Sequence, residues 1–251
     1  MRRLLPVLGL AFLLAACGRS DAPPPADATT SASETANTLT AAEQAEGWQL
    51  LFDGETTEGW HNYDADTLSS KWTVENGTLT LLGRGGGDIV TDRAFSSFDL
   101  RMEWKIAECG NNGLFFRAEE GHPRIWTVSP EYQLLDNTCA DDNEIPTHRA
   151  AANYDIHAPS EDATKPAGQW NQTRLVVDGA RVQHYLNGVQ VVEYEFWTNE
   201  WRQAVENSKF DPFDDYGMAT AGPIGLQDHG DRVWFRNIKI RPLDRSASSA
   251  D

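Results

Sequence analysis

The chain has 251 residues, with 38 acidic and 21 basic side chains, for a formal net charge of −17. So acidic a protein repels phosphate backbones and anionic headgroups; this excludes nucleic acid as a partner and leaves neutral ligands such as sugars admissible. Nine Trp, ten Phe and six Tyr are ample core material for one large domain.

The chain opens MRRLLPVLGLAFLLAAC. Arg2 and Arg3 precede an apolar run, Leu4 to Leu14, that is too short to span a bilayer and reads as an export signal. Leu14-Ala15-Ala16-Cys17 is similar to the lipobox of bacterial lipoproteins. That resemblance implies removal of residues 1–16, lipidation of Cys17 and a lipid anchor as the only membrane contact. Losing Arg2 and Arg3 would take the charge from −17 to −19. Gly18 follows the cysteine, where Asp would imply retention at the inner membrane, so the outer membrane is expected. Residues 17–45 are rich in Ala, Ser, Thr, Pro and Asp and are expected to form an unstructured tether. Residues 46–243 then form the domain, and 244–251 an unstructured tail.

Period-two alternation dominates the domain. Trp72 to Glu75, Asn76-Gly77 and Thr78 to Leu82 predict a hairpin with a type I′ turn. Phe98, Leu100, Met102, Trp104 and Ile106 alternate with charged residues, as in a strand with one wet face. Thr173–Val177, Arg181–Leu186 and Val189–Tyr194 are separated by Asp178-Gly179 and Asn187-Gly188 and predict a three-stranded meander. Asn199–Ser208 is the best helix signal, and Val233–Ile240 the last strand. Residues 140–170 read as a long irregular loop, of a length that is usually functional or unstructured. Gly83-Arg84-Gly85-Gly86-Gly87-Asp88 lacks the Lys and helix of a phosphate loop and reads as a flexible strand connection. The pattern as a whole is that of an all-β sandwich or jelly roll.

Cys109 and Cys139 are the cysteines that remain beyond Cys17. An even pair in an oxidising compartment predicts a disulfide. Three stretches could carry chemistry. In Glu131-Tyr132-Gln133-Leu134-Leu135-Asp136, a bulge at Leu134-Leu135 would put Glu131, Gln133 and Asp136 on one face. Cys109-Gly110-Asn111-Asn112-Gly113-Leu114-Phe115-Phe116-Arg117 allows close backbone approach to a ligand. Pairing these two antiparallel through Cys109–Cys139 would put Asn112 near Asp136 and Arg117 near Glu131. Gln227-Asp228-His229 sits between strand-like segments, and histidine is the commonest acid/base side chain. His148, His157 and Asp155 are further candidates, and Trp126 is the expected platform for a sugar ring.

Leu51-Phe52-Asp53-Gly54, Gly59-Trp60, Gly87-Asp88-Ile89-Val90-Thr91, the stretches 111–117 and 131–136, Gly168-Gln169-Trp170-Asn171, Leu186-Asn187-Gly188 and Gly222 to Gly230 occur in family order. From Gly47 to Leu243 the chain resembles the 3-keto-disaccharide hydrolase domain family. The resemblance implies a concanavalin A-like jelly roll of two antiparallel sheets and cleavage of glycosides oxidised to a ketone at C3. Strand 131–136 also resembles the catalytic strand of laminarinase-type glucanases, but Gln133 stands where a middle acid would be. That departure argues against a two-carboxylate retaining mechanism. A C3 ketone acidifies the C2 proton and permits elimination followed by water addition. Glu131 and His229 are the expected acid–base pair, with either one as the base. Asn112, Arg117, Gln133, Asp136, Gln227, Asp228, His148 and Trp126 are the expected substrate contacts. No cofactor is expected, although Asp136 and Asp228 could hold a divalent metal. The competing reading is a lipid-anchored, lectin-like carbohydrate-binding module without turnover.

Overall fold

The computed structural model describes residues 36–243. The expected signal, Cys17, most of the expected tether and the tail lie outside the described residues. Among the described residues, thirteen strands form two antiparallel sheets. The larger sheet runs β11 (Val189–Glu195), β10 (Arg181–Leu186), β9 (Asn171–Asp178), β6 (Phe98–Ile106), β13 (Val233–Pro242), β4 (Thr78–Leu81) and β3 (Trp72–Glu75), with β1 (Gln49–Leu50) also on β13. The smaller runs β2 (Trp60–Asn62), β5 (Ile89–Phe95), β12 (Gly222–Leu226), β7 (Asn111–Phe115) and β8 (Glu131–Leu135). This is the two-sheet architecture that the alternation predicts.

Alternation also decides what lies between the sheets. Leu100, Trp104, Phe235, Leu79 and Leu175 from the large sheet meet Ile89, Leu114, Tyr132, Leu134 and Leu226 from the small one. Burial of such side chains is the main favourable term in folding, about 1.5–3 kcal/mol for each large one. The opposite face of the small sheet therefore carries the intervening residues, among them Gly113, Glu131, Gln133 and Gln227.

The expected turns at Asn76-Gly77 and Asn187-Gly188 form with positive φ at all four residues. The turn between β9 and β10 falls one residue later than expected. Asp178 pairs with Arg181, leaving Gly179-Ala180 as the loop. The helix α2 spans Asn199–Glu206 and is capped by the Thr198 hydroxyl. The expected tether ends earlier than its composition implies. Asn37 is buried; its backbone N–H donates to Asn237 Oδ1, and its own Oδ1 accepts from the Asn237 N–H. Asn237 sits where β13 bulges and its backbone groups lack strand partners. A short helix α1, Ala41–Ala45, follows with a Thr40/Glu43 capping box, and Glu43 pairs with Lys239.

Candidate active site

In β7 and β8, Asn111 opposes Leu135, Gly113 opposes Gln133 and Phe115 opposes Glu131. Opposed residues share a face, so Asn111, Gly113, Gln133 and Glu131 all point away from the sandwich core. On β12, Gly225 opposes Phe115, and the Gln227 N–H donates to Gly113 O, so Gln227 joins them. Asp88, two residues before Val90 on β5, lies on the same face. The register is shifted by two residues from the expected one. It places Cys109 and Cys139 within disulfide distance all the same, because Cys139 turns back after the strand; the bond is present with a 4.8 Å Cα–Cα separation.

Glu131 is 3% exposed. Its carboxyl occupies the space that a side chain at position 113 would take: a Cβ on Gly113 would lie 2.1 Å from Glu131 Oε1. The glycine in Asn-Asn-Gly thus makes room for an acid rather than for a ligand. Gln133, with its amide oriented to satisfy its neighbours, donates to Glu131 Oε1 at 2.9 Å and to Asn112 O at 3.0 Å. Burial pushes the Glu131 carboxyl up to about 8; the Lys209 ammonium pulls against this, and Asp88 and Asp142 add to it. At neutral pH the group is largely a neutral acid able to donate a proton.

Around Glu131 stands a layer drawn from the long loop. Residues 151–154 pair with the free edge of β8: Gln133 N donates to Ala152 O, Ala151 N to Gln133 O and Tyr154 N to Glu131 O. The irregular loop is therefore a strap laid along the sheet. His184, buried between the sheets and held neutral by burial with its pKa lowered to about 3, fixes the strap through Nδ1 to Ala151 O at 2.9 Å. The strap presents Tyr154, whose hydroxyl donates to Asp142 Oδ2 at 3.1 Å. Lys209 Nζ lies 4.0 Å from the Tyr154 ring centroid and 5.3 Å from that of Trp126. Its N–H donates to Asp155 Oδ2 at 2.6 Å. His148 stacks on Tyr154 with both ring nitrogens facing carboxylates, Nε2 2.8 Å from Asp155 and Nδ1 3.4 Å from Asp142. His148 braces the strap through Nε2, while its buried Nδ1 faces Asp142 without a hydrogen bond. His157 has Nδ1 on the Asn153 amide and its ring on Tyr194.

Beside this layer opens a cleft of ≈ 450 Å³ lined by Asp88, Arg84, Arg124, Trp126, Gln227, Asp228 and His229, among others. The glycine run is a clamp rather than a flexible connection. The amides of Gly85, Gly86 and Gly87 all donate to Asp228 Oδ2, at 2.6–2.9 Å. Three converging N–H groups form an anion nest that glycines build most easily. Asp228 is thereby held as a positioning carboxylate, and its own N–H donates to Asp88 Oδ1 at 2.8 Å. Burial pushes Asp88 up to about 6, against the Asp228 amide and with help from the Asp228 charge. Gln227 Oε1 is buried without a partner, an acceptor left for a hydroxyl. His229 lines the cleft but is exposed and forms no hydrogen bond to another described residue.

Three expected substrate contacts lie elsewhere. Arg117 takes positive φ beyond the end of β7, and its guanidinium donates to Ser96 O and Gly179 O, tying two turns together. It is 2% exposed and lies two residues past the Phe115–Glu131 pair, with Nε and Nη2 turned to those carbonyls. Asn112 points into the core and donates to Gln227 O. Asp136 is not re-aimed, since β7 and β8 pair without a bulge. It accepts from Cys109 N, Thr138 N and the Thr138 hydroxyl. Among the described residues, one group of His, Cys, Asp and Glu has metal-site spacing: Cys109, Asp136 and Cys139. Its sulfurs are bonded to each other and so provide no thiolate. Sequence reasoning missed Asp88, Asp142, Tyr154 and Lys209. The glycine run before Asp88 was the one available signal, since it marks a nest as readily as a loop.

A family model described as a 3-keto-alpha-glucoside-1,2-lyase-like domain matches residues 47–241. A 3-keto-disaccharide hydrolase of Bacteroides thetaiotaomicron is 35% identical over 232 residues, covering 80% of each chain. A crystal structure from Parabacteroides distasonis, provisionally described as a glycosyl hydrolase, superposes with TM-score 0.79 at 31% identity. It covers 84% of this chain and 100% of that one. A second provisional glycosyl hydrolase from the same organism gives TM-score 0.60 at 28% identity, over 78% of this chain and 99% of the other.

Proposed function

Because this chain belongs to the 3-keto-alpha-glucoside-1,2-lyase-like domain family, we propose that it hydrolyses 3-keto-glycosides by elimination and water addition. The observation that carries this reading is the pair of carboxyl groups on one sheet face with raised but different pKa values, Asp88 about 6 and Glu131 about 8. At neutral pH the first is a base and the second an acid, the division of labour that elimination requires.

The Asp88 carboxylate takes the proton from C2, and the C–H electron pair flows towards C3, whose oxygen becomes an enolate. Arg124, whose charge reaches Asp88, supplies positive charge on that side of the cleft. The enolate collapses, the C1–O bond breaks, and its electron pair leaves on the glycosidic oxygen, which receives the Glu131 proton. Lys209 stabilises the Glu131 carboxylate so formed. Water then adds to C1 of the conjugated enone, giving its proton to Glu131, while Asp88, lining the open cleft and exchanging its proton with solvent, protonates C2. Both groups are restored and the net change is hydrolysis. Gln227 Oε1 and the Trp126 ring supply a hydroxyl contact and a platform. No nucleophilic carboxylate is needed, which accords with Gln133 at the middle of the strand. The same reading keeps Cys17 as a lipid anchor that holds the domain at the outer membrane.

The test is product analysis in D₂O with a glucoside and its 3-keto form. Release of 3-keto-glucose carrying deuterium at C2, from the oxidised substrate alone, is expected. Cleavage of the plain glucoside would overturn the mechanism. Binding without turnover of either would favour the lectin-like reading.

A further inference from the structure

We propose that the substrate site continues past Trp126 into a second cleft, which takes a further sugar unit on the leaving-group side. This rests on the reading above. The second cleft measures ≈ 480 Å³, and Pro123, Arg124 and Trp126 line both it and the first. Those three residues border both clefts, and the half-buried indole of Trp126 lines each. Each cleft alone falls within the range that holds a small ligand. Joined over a shared aromatic, they give room for more than the two rings of a disaccharide.

The direction follows from the acid's cationic neighbour. Glu131 protonates the oxygen on which the leaving group departs, and its cationic neighbour Lys209 packs against the Trp126 ring at 5.3 Å. Asp88, the base for C2, lines the first cleft and not the second. Glu131 is 3% exposed and lines neither cleft, so the direction rests on Lys209, which stands between the acid and Trp126: a ring with C2 at Asp88 sends its leaving group towards Trp126 and beyond.

The chemistry of the far cleft suits a sugar. Phe213 packs edge-on to Trp126, with centroids 5.5 Å apart at 90°, so two aromatic surfaces meet at its inner end. Asp214 and Asp215 line it, are exposed, and form no side-chain hydrogen bond or ion pair among the described residues. Apolar ring faces and free acceptors are what the C–H faces and hydroxyls of a pyranose need.

The experiment compares a 3-keto-disaccharide with a 3-keto-trisaccharide lengthened at the leaving-group end, using the full-length processed protein in detergent. A kcat/KM about tenfold higher for the trisaccharide is expected. Phe213→Ala and the double variant Asp214→Asn/Asp215→Asn should bring that ratio towards one. Equal kcat/KM for the two substrates, or variants that lower both equally, would overturn the second subsite. Binding of the unoxidised sugars, followed by tryptophan fluorescence, separates this inference from the chemistry. Absence of any turnover sinks the mechanism, while a length-dependent affinity lost in Phe213→Ala still upholds the subsite. Affinity independent of length in wild type overturns it.

Discussion

The two ends of β8 carry carboxyl groups five residues apart, both almost inaccessible, with Glu131 3% and Asp136 4% exposed, and they titrate in opposite directions. At Asp136, burial pushes the pKa up, but the Thr138 hydroxyl, the Cys109 amide and the Thr138 amide outweigh it and hold the carboxyl below its usual range. Glu131 lies deeper, with Gln133 as its one neutral donor, and burial dominates. One end is saturated with donors and serves the fold. The other is left undersupplied and can exchange a proton. A buried acid becomes a working acid when the structure withholds hydrogen-bond donors from it.

The largest effect is expected at the undersupplied end. Glu131→Gln removes the transferable proton and should lower kcat on a 3-keto-glycoside by about 10²–10⁴-fold. Its stability effect has a distinct sign. The folded pKa is raised from 4.5 to about 8, so the stability that Glu131 contributes is full below pH 4.5 and lost as pH rises through about 8. Thermal melts should therefore show the variant gaining on wild type as pH rises to 9, and a constant difference would break the comparison. Gly113→Ala tests the same end without touching a titratable group. Its Cβ displaces the Glu131 carboxyl, and kcat should fall about 10²-fold while circular dichroism stays that of the folded protein.

The pH–rate profile is expected to be a bell rising through about 6, as Asp88 loses its proton, and falling through about 8, as Glu131 does. Asp88→Asn should remove the acid limb along with most of the rate; a limb that survives in the residual activity would reassign the base. The saturated end should answer in stability alone. Asp136→Asn is expected to cost about 1–3 kcal/mol in denaturant titrations, with turnover near wild type. Because the folded pKa of Asp136 is lowered from 3.8, this contribution is present above pH 3.8 and fades as pH falls below it. The smallest effect belongs to His229→Ala, a change of less than about threefold in kcat, since that exposed ring has no partner to orient it. A larger loss would return it to the role of base.

Local rules written in the chain determined the two-sheet sandwich: alternation at Phe98–Ile106, Asn-Gly turns at 76–77 and 187–188, and Cys109 paired with Cys139. Each depends on residues that are neighbours or on a pair with no competitor. Glu131, Gln133, Gln227 and Trp126 were legible too, because an acid or amide in an otherwise apolar strand is conspicuous. The rest of the candidate site was not. Asp88, Tyr154 and Lys209 stand in glycine-rich or irregular segments, and what they do depends on a strap folding back along β8 and on a nest closing round Asp228. Arg117 and Asp136 misled for the same reason. Whether a charged side chain meets a carbonyl, an amide or an open cleft depends on strand register and on burial, and those were decided by the tertiary structure.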